Sequence, residues 1–512
     1  MNIKQAKEEI KNTLTVYFTK NEFGNYVIPI EKQRPVFLMG PPGIGKTAIM
    51  AQIASEMGVG LLSYSMTHHT RQSAIGLPFI EKKTFNGQEY TVSEYTLSEI
   101  VASVYELMET TGLKEGILFL DEINCVSETL APVMLQLLQY KVFGKHKIPA
   151  GWVIVTAGNP PEYNNAVREY DIATWDRLKR IDINPDFEIW KEYAYKANVH
   201  MSIISYLESK TADFYTIETT VDSKAFATAR GWEDLSTILK VYEEMNLPVD
   251  EGLVYQYLQH KKIAKDFANY LDLYKKYRTD YRVDDILRGE YTKQAVEKLQ
   301  AAPFDERLSV MGLLLSRLSE NFRKAYEADL MVTGLHGVLL ELKERFSSPY
   351  CKETPWENIF TALLEEREFA FTRERKAGLL EKTAERARMK ELERLHFFMA
   401  EAKKAGCREK EEAFEVVKGL FAAEAEEREE TIELASAMLA NAFSFLEETF
   451  GANQEMVIFI TELTTNFYSV KFISENGCEK YYQYNTELLF DEKQKTILQD
   501  IEKAKTELDL LF

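Results

Sequence analysis

The run GPPGIGKT, Gly40–Thr47, constrains this chain more than any other stretch of it. It matches G-x-x-x-x-G-K-[ST] in full, follows the apolar VFLM, and leads into AIMAQIASEMG, which reads as a helix. Strand, loop and helix together are the context in which the pattern has a mechanism. The glycines let backbone amides approach phosphates, and the helix N-terminus adds positive potential. The pattern predicts that Gly40, Pro41, Pro42, Gly43, Ile44, Gly45, Lys46, Thr47 and Ala48 surround the phosphates of a nucleotide. Lys46 is expected to reach the β and γ phosphates, and the Thr47 hydroxyl to ligate Mg2+. The expected cofactors are therefore ATP and Mg2+.

Downstream, GILFLDEIN predicts a buried strand with Asp121 at its carboxyl end, where it can hold magnesium directly or through water. Glu122 follows it. A carboxylate one residue past a metal ligand is suited to polarising a water, a pattern of hydrolases rather than kinases; the plainer reading is an acidic cap for the next helix. In IVTAGNP, Asn159 ends another strand and can orient the same water, although Asn-Pro is also a common turn former. DIATWDRLKRIDI places Arg177 and Arg180 just before a further strand, where an arginine reaches a neighbouring subunit's phosphate more easily than its own. FATARGWEDLS puts Arg230 at a helix start, from which it can fold over the γ-phosphate. Each arginine has a plainer reading as a surface ion-pairing residue.

Up to about Asp182, aliphatic runs (VFLM, LLSYS, ILFLD, WVIVTAG, RIDI) alternate with helical patterns, which predicts a five-stranded parallel sheet flanked by helices. From NPDFEIWKEYA onward the strand runs stop and nearly everything reads as helix. A chain of 512 residues exceeds the size of one core, and three parts are expected. They are an α/β nucleotide-binding domain at 1–185, a small helical domain at 186–262 and an all-α extension at 263–512. In the extension Phe414, Val417, Phe421, Ala425, Ile432, Ala435, Leu439, Ala442 and Leu446 keep a 3-4 rhythm broken at Arg428, which predicts a long helix with a packing seam. The helical run before Gly406 is its expected antiparallel partner. Near the end, Met456, Ile460, Leu463, Phe467 and Val470 predict a helix capped near Gly477.

The net charge of −19 repels nucleic acid at long range, and no Lys/Arg arm or stripe stands out. Cys125, Cys351, Cys407 and Cys478 lack the spacing of a zinc site or a disulfide framework. His68 and His69 are adjacent, so their rings diverge, and a loop or pore-facing role is expected rather than a metal site. No apolar run approaches the roughly 18 residues of a membrane helix, and MNIKQAKEEIKNTL has no apolar signal core. A cytoplasmic location is expected, with no membrane partner.

Taken in order, GPPGIGKT, LFLDEIN, TAGNP, ATWDRLKR and TARGWEDLS resemble the MoxR branch of the AAA+ ATPases over the first half of the chain. The resemblance implies an AAA+ P-loop core followed by a small helical lid domain. It makes Asn159 similar to the sensor 1 residue, Arg177 to the arginine finger with Arg180 in reserve, and Arg230 to sensor 2. Two inserts fit the branch. FIEKKTFNGQEYTVSEYT carries an Asn86-Gly87 hairpin signal where the helix-2 insert lies, and QYKVFGKHKIPAGW looks like the pre-sensor-1 hairpin. The resemblance further implies a homo-hexameric ring that remodels a protein partner, often one with a von Willebrand A domain. The competing expectations are a nucleic-acid motor and a nucleotide-gated scaffold that barely hydrolyses.

Overall fold

The computed structural model describes residues 1–486 apart from 144–145, 164–166, 168–169, 220–223, 378 and 381. The strands are β1 (Val36–Met39), β2 (Gly60–Ser65), β3 (Pro78–Phe85), β4 (Gln88–Tyr95), β5 (Gly116–Asp121), β6 (Val142–Phe143), β7 (His146–Lys147), β8 (Trp152–Gly158), β9 (Lys179–Asp182), β10 (Thr216–Thr219) and β11 (Lys224–Ala227). The chain divides into two compact units, one formed by Met1–Ile189, Thr228–Arg230 and Phe360–Leu392, the other by the remainder.

The first unit is built on a parallel sheet of order β2-β5-β8-β1-β9. Its helices are α1 (Ile3–Phe18), α2 (Lys46–Met57), α3 (Arg71–Ile75), α4 (Glu99–Thr111), α5 (Ala131–Tyr140) and α6 (Ile172–Trp175). Strand residues alternate between two faces, so each strand feeds two cores. Val36, Leu38, Phe119 and Val155 pack on one side with Ile10 of α1 and Met50 of α2. Phe37, Leu118, Leu120 and Ile154 pack on the other with Val101 of α4 and Leu137 of α5. Burial on both faces explains why these strands read as continuous apolar runs. All five expected strands lie in this sheet, and the AAA+ P-loop core expected of the sequence is the fold observed.

Two hairpins leave the core. β3 and β4 close over Asn86 and Gly87, both at positive φ (51° and 84°), the geometry of a tight hairpin turn. β6 and β7 pair as Val142↔Lys147 and Phe143↔His146; the tip of this expected hairpin, 144–145, lies outside the described residues.

The helices from residue 187 on are α7 (Phe187–Lys196), α8 (Met201–Ser209), α9 (Ala229–Glu244), α10 (Glu251–Tyr257), α11 (Lys261–Tyr281), α12 (Val283–Arg288), α13 (Lys293–Ala301), α14 (Phe304–Ser347), α15 (Trp356–Lys376), α16 (Lys382–Lys404), α17 (Lys410–Phe450), α18 (Gln454–Thr465) and α19 (Phe467–Asn476). Three expectations are corrected here. Strands do not stop at 186, because β10 and β11 form an antiparallel hairpin with Ile217 opposite Phe226. The seam of α17 lies against the 44-residue α14 rather than the helix before it. Arg428, the break in the seam's rhythm, reaches Asp329 of α14 at 2.6 Å, while Phe414 meets Phe346 and Phe421 meets His336, so the two helices run antiparallel. α16 is held to α17 by Arg394 on Glu424 at 3.1 Å. Finally, the expected terminal helix is two helices. Asn466 caps α19 by accepting from the backbone of Tyr468 and Ser469, and this change of register leaves Phe467 and Val470 partly exposed while Met456, Ile460 and Leu463 are buried.

Candidate functional site: a nucleotide pocket at the carboxyl edge of the sheet

Three strands deliver the candidate residues to one edge. Met39, the last residue of β1, pairs with Gly158 of β8, and Leu120 of β5 pairs with Thr156, so the phosphate loop, Asp121 and Asn159 all follow the carboxyl ends of neighbouring strands. Open parallel sheets bind ligands at this crevice. Gly45 stands at φ 94° as the N-cap of α2, a conformation in which a Cβ is strained, and it lets α2 begin directly at Lys46.

The Lys46 side chain is buried, and its ammonium donates to Gly40 O at 2.7 Å, Pro41 O at 2.9 Å and Asn159 Oδ1 at 2.9 Å. Burial brings its pKa down to about 8, with Asp121 pulling it up and Arg230 pushing it down. A phosphate oxygen is a stronger acceptor than any of these three neutral groups.

Thr47 Oγ1 donates to Asp121 Oδ2 at 2.8 Å, and Asp121 Oδ1 accepts from the Glu122 backbone at 2.9 Å. The hydroxyl and the carboxylate therefore already converge on one point. Two hard oxygen donors beside a phosphate loop fit Mg2+, which keeps several waters and takes its remaining oxygens from phosphates. Glu122 sits in the left-handed region at φ 54°, uncommon for a residue with a side chain and frequent where backbone strain serves a site.

Asn159 contributes both its groups. Its side chain accepts from Lys46, and its carbonyl accepts from Asn124 Nδ2 at 2.9 Å. Asn124 can approach this closely because Gly158 has no side chain: a Cβ there lies 2.4 Å from Asn124 Oδ1. The Arg230 backbone N–H donates to Gly43 O at 3.2 Å, which brings the start of α9 against the loop. The two preceding arginines sit elsewhere. Lys179 pairs with Val36 and Asp182 with Met39, so Arg177, in the turn just before β9, lies beyond the end of that strand opposite the loop, with the roughly 10 Å length of β9 between them. Arg180 stacks on Trp175 at 4.9 Å and pairs with Asp182 at 2.8 Å. Arg177 is exposed and makes no ion pair among the described residues.

Ser65, Thr67 and Asn124 were not legible as site residues. Ser65 ends β2 opposite Asp121, and its hydroxyl donates to Glu122 Oε2 at 3.3 Å; Thr67 Oγ1 donates to the same oxygen at 3.1 Å. The only trace in the sequence is a pair of small hydroxyl residues after a strand, a pattern far too common to single out. His69 bonds Ser73 and packs on Tyr64, His68 is exposed, and among the described residues no cluster of metal-binding side chains occurs.

A parallel sheet whose carboxyl edge carries a glycine-rich phosphate loop, a lysine, a threonine–aspartate pair and an adjacent glutamate defines a P-loop NTPase module. Residues 36–174 match the family model described as ATPase family associated with various cellular activities (AAA), which marks this part of the chain as an AAA ATPase domain. No curated protein matches the chain. Among the described residues no helix is long and apolar enough to cross a membrane.

Proposed function

We propose that the protein is a Mg2+-dependent ATPase of MoxR type that works as a homo-hexameric ring in the cytoplasm and remodels a protein partner, one carrying a von Willebrand A domain. The observation that carries the ATPase reading is the convergence of Lys46, Thr47, Asp121, Glu122 and Asn159 at one sheet edge. Mg2+, when bound with ATP, supplies charge neutralisation at the β and γ phosphates through Thr47 and Asp121. Lys46 exchanges its carbonyl partners for phosphate oxygens. Glu122, released from Ser65 and Thr67, accepts the proton of the attacking water, and Asn159 orients that water. Arg230, at the start of α9 beside Gly43, takes the role of sensor 2.

The ring reading draws its support from Arg177. An arginine without an ion pair, at the end of the sheet away from its own loop, is matched to a neighbour's γ-phosphate, and Arg180, already paired and stacked, is not. The two hairpins support the MoxR branch, and the acidic total charge supports a protein partner over nucleic acid.

The test is Glu122→Gln in the full chain. It should hold ATP with unchanged affinity, lose about 10²–10⁴-fold in turnover as expected for loss of a general base, and capture the partner from native lysate. Wild-type turnover overturns the hydrolytic assignment, and strong stimulation of the wild type by DNA overturns the protein-remodelling reading. The full chain is required because residues 360–392 belong to the same compact unit as the sheet, with Ser55 Oγ donating to Leu379 O at 2.6 Å.

A further inference from the structure

Between Arg373 and Lys390 the chain holds seven Lys or Arg and three Glu, a local excess of positive charge in a chain of net −19. Folding turns this stretch into the facing ends of α15 and α16. The ion pair from Arg375 Nε to Glu385 Oε1, 2.7 Å long, ties the two helices together. Arg388 is spent on Glu391 at 3.2 Å. Arg373, Lys376 and Arg386 are exposed and make no ion pair among the described residues. On α15 Phe369, 69% exposed, precedes Arg373 by four residues and Lys376 by seven, so the three share one face. On α16 Arg386 and the half-exposed Met389 are three apart. Free cations with apolar neighbours on the surface of an acidic protein call for a partner that is anionic and partly apolar.

The chain itself carries such a surface. On α17 Glu426, Glu430 and Glu433 are exposed at spacings of four and seven, and none is in an ion pair among the described residues. Leu434, 55% exposed, stands four residues beyond Glu430. The two stripes are comparable in length, Phe369–Lys376 and Glu426–Leu434 each spanning roughly 10–12 Å of helix, and opposite in charge.

We propose that the cationic end of the α15–α16 hairpin docks on the glutamate stripe of α17 in a second copy of this chain. The inference rests on the ring reading above and names a surface that holds the ring together. Two different patches meeting head to tail make a heterologous contact, the type that closes into rings. Opposite charges also steer copies of a −19 chain into one register against their general repulsion. Nucleic acid is less well served, because Glu368, Glu374 and Glu385 interrupt the cations along both helices.

The experiment measures the mass of the full-length protein by sedimentation with ATP and Mg2+, in the Glu122→Gln background so that nucleotide persists. One variant carries Arg373→Glu and Arg386→Glu, the other Glu426→Lys, Glu430→Lys and Glu433→Lys. Nucleotide binding verifies that each is folded. Each alone should require at least about tenfold more protein to assemble, and a one-to-one mixture should recover the unmutated midpoint, since every contact in an alternating ring is then again between opposite charges. Unmutated protein that stays monomeric overturns the ring reading itself. A ring that ignores both variants, or two variants that fail together as they fail apart, overturns the docking surface alone. Retained assembly with loss of DNA binding by the arginine variant assigns the patch to nucleic acid and also overturns it.

Discussion

Lys46 Nζ donates a 2.9 Å hydrogen bond to Oδ1 of Asn159, joining the loop after β1 to the turn after the neighbouring β8. The lysine that must greet the phosphates is thereby tied to the residue proposed to sense them, and two backbone carbonyls complete its shell.

That link is open to substitution. Asn159→Ala leaves Lys46 its two carbonyl partners, so ATP affinity should hold within about fivefold while turnover falls, since the loss of one modest hydrogen bond is roughly 1 kcal/mol. Asn159→Asp should act on binding instead. It sets a carboxylate against Lys46 that competes with phosphate, and affinity should drop about tenfold, as a charge-assisted bond is about twice as strong as a neutral one. Titration with a fluorescent nucleotide reads the first quantity and phosphate release the second. Equal affinities for the two variants would mean that Lys46 does not leave Asn159 when ATP binds.

Ser65 and Thr67 hold Oε2 of Glu122 through two hydroxyls. Replacing both by Ala frees the carboxylate to turn toward water. If the release is worth about 1 kcal/mol, basal turnover rises about fivefold with nucleotide affinity unchanged. A fall in turnover would show that the hydroxyls position the glutamate for reaction rather than restrain it.

Arg177→Ala should cost about 10³-fold or more in turnover, the range for an arginine finger, whereas Arg180→Ala should change it little because that side chain serves Trp175 and Asp182. Mixing Arg177→Ala with Glu122→Gln chains should restore part of the activity. A mixed interface can join an intact glutamate to an intact arginine, so activities that merely add would count against action between subunits.

In the helical unit Lys191 of α7 lies between two carboxylates, Glu208 of α8 at 2.6 Å and Glu462 of α18 at 2.5 Å, and Tyr195 donates to Glu462 as well. Burial raises the Glu208 carboxyl to about 8, with the charge of Glu462 adding to the rise and Lys191 opposing it. The folded chain therefore keeps a proton between about pH 4.5 and 8 that the unfolded chain releases, and stability falls as pH rises through this window. Glu208→Gln keeps an acceptor for Lys191 and removes the titration. The variant should gain about 2 kcal/mol on the wild type between pH 6 and 9 in urea unfolding. Parallel pH curves for the two would show that Glu208 does not titrate in this window.

Most of what depends on contiguous residues was legible in the sequence. The five strands, the phosphate loop, the Asn86-Gly87 turn and the helix breaks near 302, 350, 406 and 451 are local consequences of apolar periodicity and of glycine and proline, which bias the backbone where they stand. Meetings between distant residues left no such mark. Thr67 with Glu122, Asn124 with Asn159, Arg428 with Asp329, and the return of residues 360–392 to the sheet's unit were decided only by tertiary structure. A periodic stripe says that a helix has a seam but not which apolar face fills it, and a hydroxyl or an amide gains its role from what packing sets within 3 Å of it. The hairpin of β10 and β11 escaped for a related reason, since two four-residue strands gain their stability by pairing with each other, which a reading of either strand alone does not contain.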